Sequence, residues 1–365
     1  MTLTLSRKSL DLKVGDRVRV RPRHEILATL DEHARLDGLP FMPQMLDYCG
    51  KEFRVYRRAH KTCDTVNKTG GRSMVDAVHL NTPRCDGRSH GGCEMGCLLF
   101  WKDAWLEPAD DSPEPDSVDR IEAARESGPA PICSPATLER ETISEETRGQ
   151  SDPCYVCQTT ELPRATEALH WWDPRQYWKD FRSGNAGLRR LLDVFSFSVF
   201  NHVLKLDKGV RLLIGGYNAV QRATGGVPYP HKMGLVPKGT RTPTEVLDLQ
   251  PGELVRVKSH DEIVATLDER NKNRGLFFDV EEVPYCGKIF RVRNRVTKII
   301  DEESGRMIQL PTPSVILEGA FCQSSFSEKR LLCPRSIYAM WREAWLERVD
   351  PKEPGVTPEP VGDGG

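Results

Sequence analysis

The chain of 365 residues says nearly the same thing twice. Leu12–Val20 and Glu25–Glu32 return as Leu249–Val257 and Glu262–Glu269, 237 residues later, and that offset holds without a gap to Asp64 and Asp301. Tyr48-Cys49-Gly50-Lys51 and Phe53-Arg54-Val55 match Tyr285-Cys286-Gly287-Lys288 and Phe290-Arg291-Val292. Both copies close on Trp-x-x-Ala-Trp-Leu-Glu, at Trp101–Glu107 and Trp341–Glu347. Such a duplication demands two like folding units. Positions kept in both copies point to architecture, and positions held by only one point to function.

Within each copy the hydrophobic rhythm is that of strands. Asp16–Arg21 alternates valine with arginine after a Gly15-Asp16 turn, the period of two of a half-buried strand. Phe53–Arg57, Ala77–Leu80 and Ser314–Leu317 alternate again, Ile26–Leu30 fits a short helix or strand, and Pro40-Phe41-Met42-Pro43 breaks regular structure. Several short strands bounded by Gly and Pro predict a small closed barrel per copy. A Gly-Asp turn running into a Val-Arg-Val strand resembles bacterial SH3-like barrels, and the whole chain resembles bacterial proteins with two SH3-like repeats around a variable middle. The resemblance implies a mainly β fold with a helical middle segment, two SH3-like small β-barrels joined by a linker and helices; it implies no activity. The expected divisions are a first barrel at 1–107, an acidic flexible linker at 108–150, a basic helical segment at 151–241, a second barrel at 242–350 and a disordered tail at 351–365.

Charge separates the two halves of the middle. Residues 107–150 carry twelve Asp or Glu against four Lys or Arg, a balance of −8 with few apolar residues, which predicts disorder. Residues 171–241 invert this to +8. Asp173-Pro174 is a helix start, with Asp as cap and Pro in the first turn, and Arg182-Ser-Gly-Asn-Ala-Gly187 breaks that helix. A second helix is predicted from Leu188 to about Leu206, with Leu188, Leu191, Leu192, Phe195, Val199 and Val203 on one face and Val194, Phe197 and Phe200 widening it. It either packs between the barrels or makes peripheral contact with a membrane. The glycine- and proline-rich run from Gly215 to Pro237 reads as an extended connector.

The cysteines carry the candidate chemistry. Cys63, Cys85, Cys93 and Cys97 lie in the first copy, whereas the second has cysteine only at the places of Cys85 and Cys93, as Cys322 and Cys333. Glycines at 87, 91, 92 and 96 would let the backbone wrap an ion. Four thiolates, with His90 as an alternate ligand and His60 and His79 nearby, suit a structural zinc or an iron–sulfur cluster. Buried thiols and disulfides are the competing readings. Cys154-Tyr-Val-Cys157 is half a zinc knuckle or a redox pair; it could complete a second metal site with Cys133 and His170 or bridge to the first barrel, and a free or structural pair is the competing reading. Cys49 and Cys286, kept in both copies, look architectural, as do the tryptophan pairs Trp101/Trp105 and Trp341/Trp345.

The arginines Arg17, Arg19, Arg21, Arg23, Arg54, Arg57 and Arg58 with Lys61 could form a polyanion-binding face, although a solvated strand face explains the same alternation. The net charge of −1 argues against a generally basic nucleic-acid binder. No phosphate-binding glycine loop, His-Glu-x-x-His or Gly-x-Ser-x-Gly motif occurs. Eleven cysteines without an export signal point to a reducing, cytoplasmic setting. The expectation is a metal-stapled binding or scaffold protein that recognises a peptide or protein partner. A metal-dependent or iron–sulfur redox enzyme is the alternative, and a nucleic-acid adaptor is the second one.

Overall fold

The structure is a computed structural model and describes residues 10–109, 132–151, 153–205, 210–352 and 356–360. It divides into two compact units, Met1–Gly92 with Leu98–Asn185 and Ile300–Arg306, and Cys93–Cys97 with Ala186–Ile299 and Met307–Gly365.

The first unit holds ten strands: β1 (Arg17–Val20), β2 (Arg35–Leu36), β3 (Leu39–Pro40), β4 (Glu52–Arg58), β5 (Lys61–Cys63), β6 (Gly71–Ser73), β7 (Ala77–Leu80), β8 (Trp101–Lys102), β9 (Leu106–Pro108) and β10 (Glu167–Leu169). Among the described residues the α-helices beside them are α1 (Arg23–Leu27), α2 (Pro135–Glu141), α3 (Leu162–Ala165) and α4 (Pro174–Ser183). The main sheet runs β8-β7-β4-β1-β9, and a second one runs β10-β6-β5. In the second unit lie α5 (Leu188–Lys205), α6 (Val210–Thr224), β11 (Leu254–Val257), α7 (His260–Val264), β12 (Lys272–Asn273), β13 (Leu276–Phe277), β14 (Ile289–Ile300), β15 (Met307–Phe321), β16 (Tyr338–Trp341) and β17 (Leu346–Arg348). Its main sheet, β16-β15-β14-β11-β17, repeats the first strand for strand. The fold is mainly β with a helical middle. Among the described residues the edge strands of each sheet are not paired with one another, so neither sheet closes into a barrel.

Alternation places the cores as expected. Val18 and Val20, like Val255 and Val257, are fully buried, while the arginines between them point outward. All four tryptophans of the repeated motifs are fully buried. Trp105 donates its indole N–H to Thr29 Oγ1 (3.0 Å), and Trp345 does the same to Thr266 Oγ1 (2.9 Å). Phe41 meets Trp105 edge-on at 5.0 Å, as Phe278 meets Trp345 at 5.3 Å. These aromatic contacts build the same core twice and leave no tryptophan of the repeats open as a stacking platform.

The copies differ along one hairpin. β14 is a single twelve-residue strand, but the matching residues 52–63 break at Ala59-His60 into β4 and β5. The peeled-off end pairs β5 with β6, and β6 accepts β10 from the middle segment, Arg72 opposite Ala168.

Three segments outside the expected barrels contain described structure. Residues 132–151 of the expected flexible linker are built into the first unit: Ser134 Oγ caps α2 by accepting the Thr137 N–H (3.0 Å), and Cys133 and Leu138 are fully buried in its core. Two apolar anchors beside a Ser-Pro helix start outweigh the acidic average; the more acidic residues 110–131 lie outside the described residues. Part of the expected disordered tail is placed as well, since the Glu359 N–H donates to the Ile289 carbonyl (2.8 Å). The supposed connector is helical as far as Thr224, as α6, even though Gly215 and Gly216 each cost about 1 kcal/mol in a helix. Tyr217 repays that by stacking on Phe200 at 4.7 Å.

Candidate functional site

The cysteine-rich loop and the Cys154–Cys157 segment are joined. The Tyr155 N–H donates to the Ser89 carbonyl (2.8 Å), and His90 Nδ1 lies 2.8 Å from the Tyr155 carbonyl. Gly87 and Gly91, both with positive φ, make the tight turn on either side of Arg88–His90. His90 is buried, and its Nε2 is 2.7 Å from Gln44 Nε2, so one nitrogen faces backbone and the other a side-chain amide. Burial lowers its pKa against the pull of the Tyr155 carbonyl. The Cys85 thiol accepts the Gly87 N–H (3.4 Å), and the Cys157 thiol meets Thr159 Oγ1 at 3.1 Å.

Cys63 is buried on β5, and Cys85, Cys154 and Cys157 belong to the same unit. Cys133 is core, and His170 stacks on Trp172 at 5.2 Å. His79 lies in the core with Nδ1 3.0 Å from the Leu99 carbonyl. Among the described residues, no three His, Cys, Asp or Glu side chains are grouped to hold a metal, and all eleven cysteines are thiols with no disulfide. The expected zinc or iron–sulfur centre therefore finds no assembled ligand set. Cys49 and Cys286 sit at equivalent turns, and burial raises both pKa values, Cys286 to about 12. Neither is primed as a nucleophile.

At the aligned place of Gln44 the second copy has Glu281. Its buried carboxylate accepts three successive backbone N–H groups, from Ser325 (2.8 Å), Phe326 (2.7 Å) and Ser327 (2.9 Å). Burial raises its pKa against those donors, and its neighbour Glu282, fully buried where the first copy has Met45, is raised further. The His90–Gln44 contact of the first unit thus becomes a carboxylate-held loop in the second.

The peeled-off hairpin end carries a second cluster that the sequence did not single out. Lys61 Nζ lies 2.6 Å from Asp180 Oδ2 on α4, both buried, with the Tyr177 ring 4.8 Å away. His60 Nε2 is 3.4 Å from Asp180 Oδ1 and 3.1 Å from the Gln176 carbonyl. Burial, and then the Lys61 charge, pull the His60 pKa down to about 3, so it is neutral at pH 7. Burial raises the Asp180 pKa against the opposing pull of Lys61. In the second unit the aligned strand end is held otherwise: Glu94 accepts the Thr297 and Lys298 N–H groups, the latter at 3.1 Å. The repeat gave the signal for both clusters, since His60 stands opposite Thr297.

The arginine face is occupied by the fold. Arg17 and Arg19 share Glu52 (2.9 and 2.8 Å), and Arg21 pairs with Glu25 (2.7 Å). Arg54 donates to the Gly15 carbonyl (3.0 Å), Arg57 to the Asn185 carbonyl (2.8 Å) and Arg58 to Asp103 (2.8 Å). Arg295 and Glu343 repeat the Arg58–Asp103 pair at 3.1 Å.

One hollow lies in the second unit, a cavity of about 680 Å³ between α5, α6 and the loop at Ser325-Phe326. Phe197, Phe200, Tyr217 and Phe326 wall it, and Arg189, Arg190, Asp193 and Gln221 contribute its polar groups. Phe197 packs edge-on against Phe326 at 4.8 Å, and Arg190 reaches Ser325 Oγ at 2.6 Å, so the loop that Glu281 holds is also one wall of the cavity. Sequence periodicity assigned Phe197 and Phe200 to the margin of an apolar face, with no sign that they enclose space. No protein-family model matches the chain, and no curated protein matches it in sequence.

Proposed function

We propose that this chain is a binding or scaffold protein, and that the aromatic cavity of the second unit seats an apolar or aromatic side chain of a peptide or protein partner. The observation that carries this reading is the cavity itself. Its volume of about 680 Å³ falls in the roughly 300–1,000 Å³ range of ligand pockets. Aromatic walls with a few arginine and amide groups at the edge orient a ligand instead of attacking it. SH3-like units as the frame belong to the same proposal, supported by the shared strand order. A reducing, cytoplasmic setting belongs to it too, supported by the eleven thiols.

Panning a random dodecapeptide display library on the protein tests the reading. Enriched peptides should share an aromatic or bulky apolar residue, and Phe200→Ala and Tyr217→Ala should each weaken them at least tenfold. Enrichment of no common sequence, or peptides indifferent to both variants, overturns it.

A Cys-ligated zinc that staples the first unit is a second proposal, with an iron–sulfur cluster as its alternative. It is favoured by the hydrogen-bonded junction of the cysteine loop with the Cys154–Cys157 segment. Metal and sulfide analysis of protein purified without oxygen decides it. Stoichiometric metal lost with Cys85→Ser and Cys154→Ser supports it, and a folded, metal-free protein removes it.

A further inference from the structure

Away from the cavity, α5 and α6 each carry an exposed face of different character. The face of α5 turned into the unit is Val194, Phe197, Asn201 and Leu204, all buried. On the opposite side Leu188, Leu192, Val199 and Val203 are exposed, Leu192 by 58% and Val199 by 64%, with Phe195 in the same row. Spacings of four, three, four and four residues put these five on one stripe of a helix, and no charged residue interrupts it. α6 repeats the pattern: Leu212, Gly216, Ala219 and Ala223 fall on one exposed stripe, with Leu213 and Val220 beside them, again without a charge. A monomer in water rarely leaves contiguous apolar surface of this kind uncovered.

A separate observation comes from the first unit. Of seven tryptophans in the chain, the four in the repeated motifs are fully buried, and the other three, Trp171, Trp172 and Trp178, are all exposed, the last two by 64%. Trp178 lies on the outer side of α4 with exposed Phe181, 5.9 Å between ring centroids, and exposed Arg175, Lys179 and Arg182 share that short helix. Its inner side, Gln176, Asp180 and Ser183, is the buried side. Tryptophan beside Arg and Lys is the composition of a membrane–water interface. The +8 balance of residues 171–241 covers all these elements.

From these we propose that the chain docks on an anionic lipid surface, lying on it and not crossing it. The uncharged stripes of α5 and α6 would enter the headgroup boundary, and Trp172 and Trp178 would give the first unit an interfacial contact of its own. Among the described residues no helix is long and apolar enough to span a bilayer, in keeping with a surface-lying mode. The charge chooses this occupant over a second copy of the chain, because a copy brings the same positive balance to the contact, whereas an anionic bilayer opposes it.

The test is co-sedimentation of the full chain with large vesicles of phosphatidylcholine, alone or with a quarter phosphatidylglycerol, alongside its mass in solution by light scattering. The expected result is binding to the anionic vesicles, at least about tenfold tighter than to neutral ones and weakened by salt. Leu192→Asp with Val199→Asp, both on exposed positions, should lower the partition coefficient about tenfold or more, and Trp172→Ser with Trp178→Ser should lower it independently. Circular dichroism and retained peptide binding confirm that the variants are folded. No binding to anionic vesicles overturns the proposal. So does equal binding to both vesicle types, and so does a wild-type dimer that Leu192→Asp and Val199→Asp convert to monomer, which would assign the stripes to self-association. Failure here leaves the cavity proposal standing, since Phe200 and Tyr217 belong to the inner side.

Discussion

The two units share a sheet order, an aromatic core and an Arg–carboxylate pair, yet each fastens its strand end differently. In the first, the end of β4-β5 carries His60 and Lys61 and is covered by α4, whose Asp180 sits 2.6 Å from the lysine. In the second, the aligned Thr297 and Lys298 present backbone N–H groups to Glu94. A carboxylate from outside the aligned strand serves both, but it meets a buried charge in one unit and amide donors in the other. The same divergence holds at the loop turn, where Gln44 faces His90 and Glu281 gathers three N–H groups. Duplication therefore preserved packing and left polar fastening free to drift, because a core position must match shape whereas a buried donor needs only some acceptor.

The sharpest way to break the comparison is to remove each outside carboxylate. Asp180→Ala should destabilise the first unit by about 3–5 kcal/mol, since it leaves Lys61 buried without its partner, while Lys61→Met with Asp180→Leu should recover most of the loss. Glu94→Ala should cost the second unit less, about 1–3 kcal/mol, because only neutral donors, two amides and the Thr297 hydroxyl, are orphaned. Urea titrations of the four proteins decide it; equal losses for Asp180→Ala and Glu94→Ala would mean that the two fastenings are alike.

The loop turn comes next. Glu281→Ala should cost about 3 kcal/mol and loosen the Ser325–Ser327 loop, and Gln44→Ala about 1–2 kcal/mol. Hydrogen exchange at Phe326 reads the loop directly. Because that loop is a wall of the cavity, Glu281→Ala should also weaken peptide binding.

Acid and alkali should separate the units further. His60 has a pKa of about 3 in the fold and about 6.5 when unfolded, so the unfolded chain binds the extra proton between those values. Its contribution to the first unit is full above pH 6.5 and is lost as the pH falls toward 3. Glu281 and Glu282 are shifted upward, so in the second unit the fold holds protons that the unfolded chain releases. Their contribution is full below about pH 4.5 and is lost as the pH rises through the raised values. His260, lowered to about 4, acts in the second unit as His60 does in the first, which makes variants the cleaner test. Amide exchange across pH 4–8 should show His60→Gln flattening the acid limb of the first unit and Glu282→Gln the alkaline limb of the second. Slopes unchanged by both variants would remove these groups from the pH dependence.

The smallest effects belong to the arginine face. Arg17→Ala and Arg19→Ala touch exposed pairs with Glu52 and should each change stability by less than about 1 kcal/mol. Arg19→Ala with Arg57→Ala should leave any weak affinity for a DNA oligonucleotide unaltered; a tenfold loss with a steep salt slope would restore a polyanion site.

Much of this was legible in residue order. The alternation of Val18 and Val20 with arginines set strand and facing, Asp173-Pro174 and the break at Arg182–Gly187 bounded α4, and the 237-residue repeat set two like units. These are local properties: a period of two, a cap, a φ that glycine tolerates. Residues distant in sequence were decided by packing alone. The pairing of Lys61 with Asp180 and the turning of Phe197 inward while Val199 faces out both depend on which surface another element covers. The apolar girth of α5 was plain from its composition, but a helix apolar on most of its circumference does not say which side is core. Only the docking of Val194, Phe197 and Leu204 into the second unit fixed that, and with it which stripe remained outside.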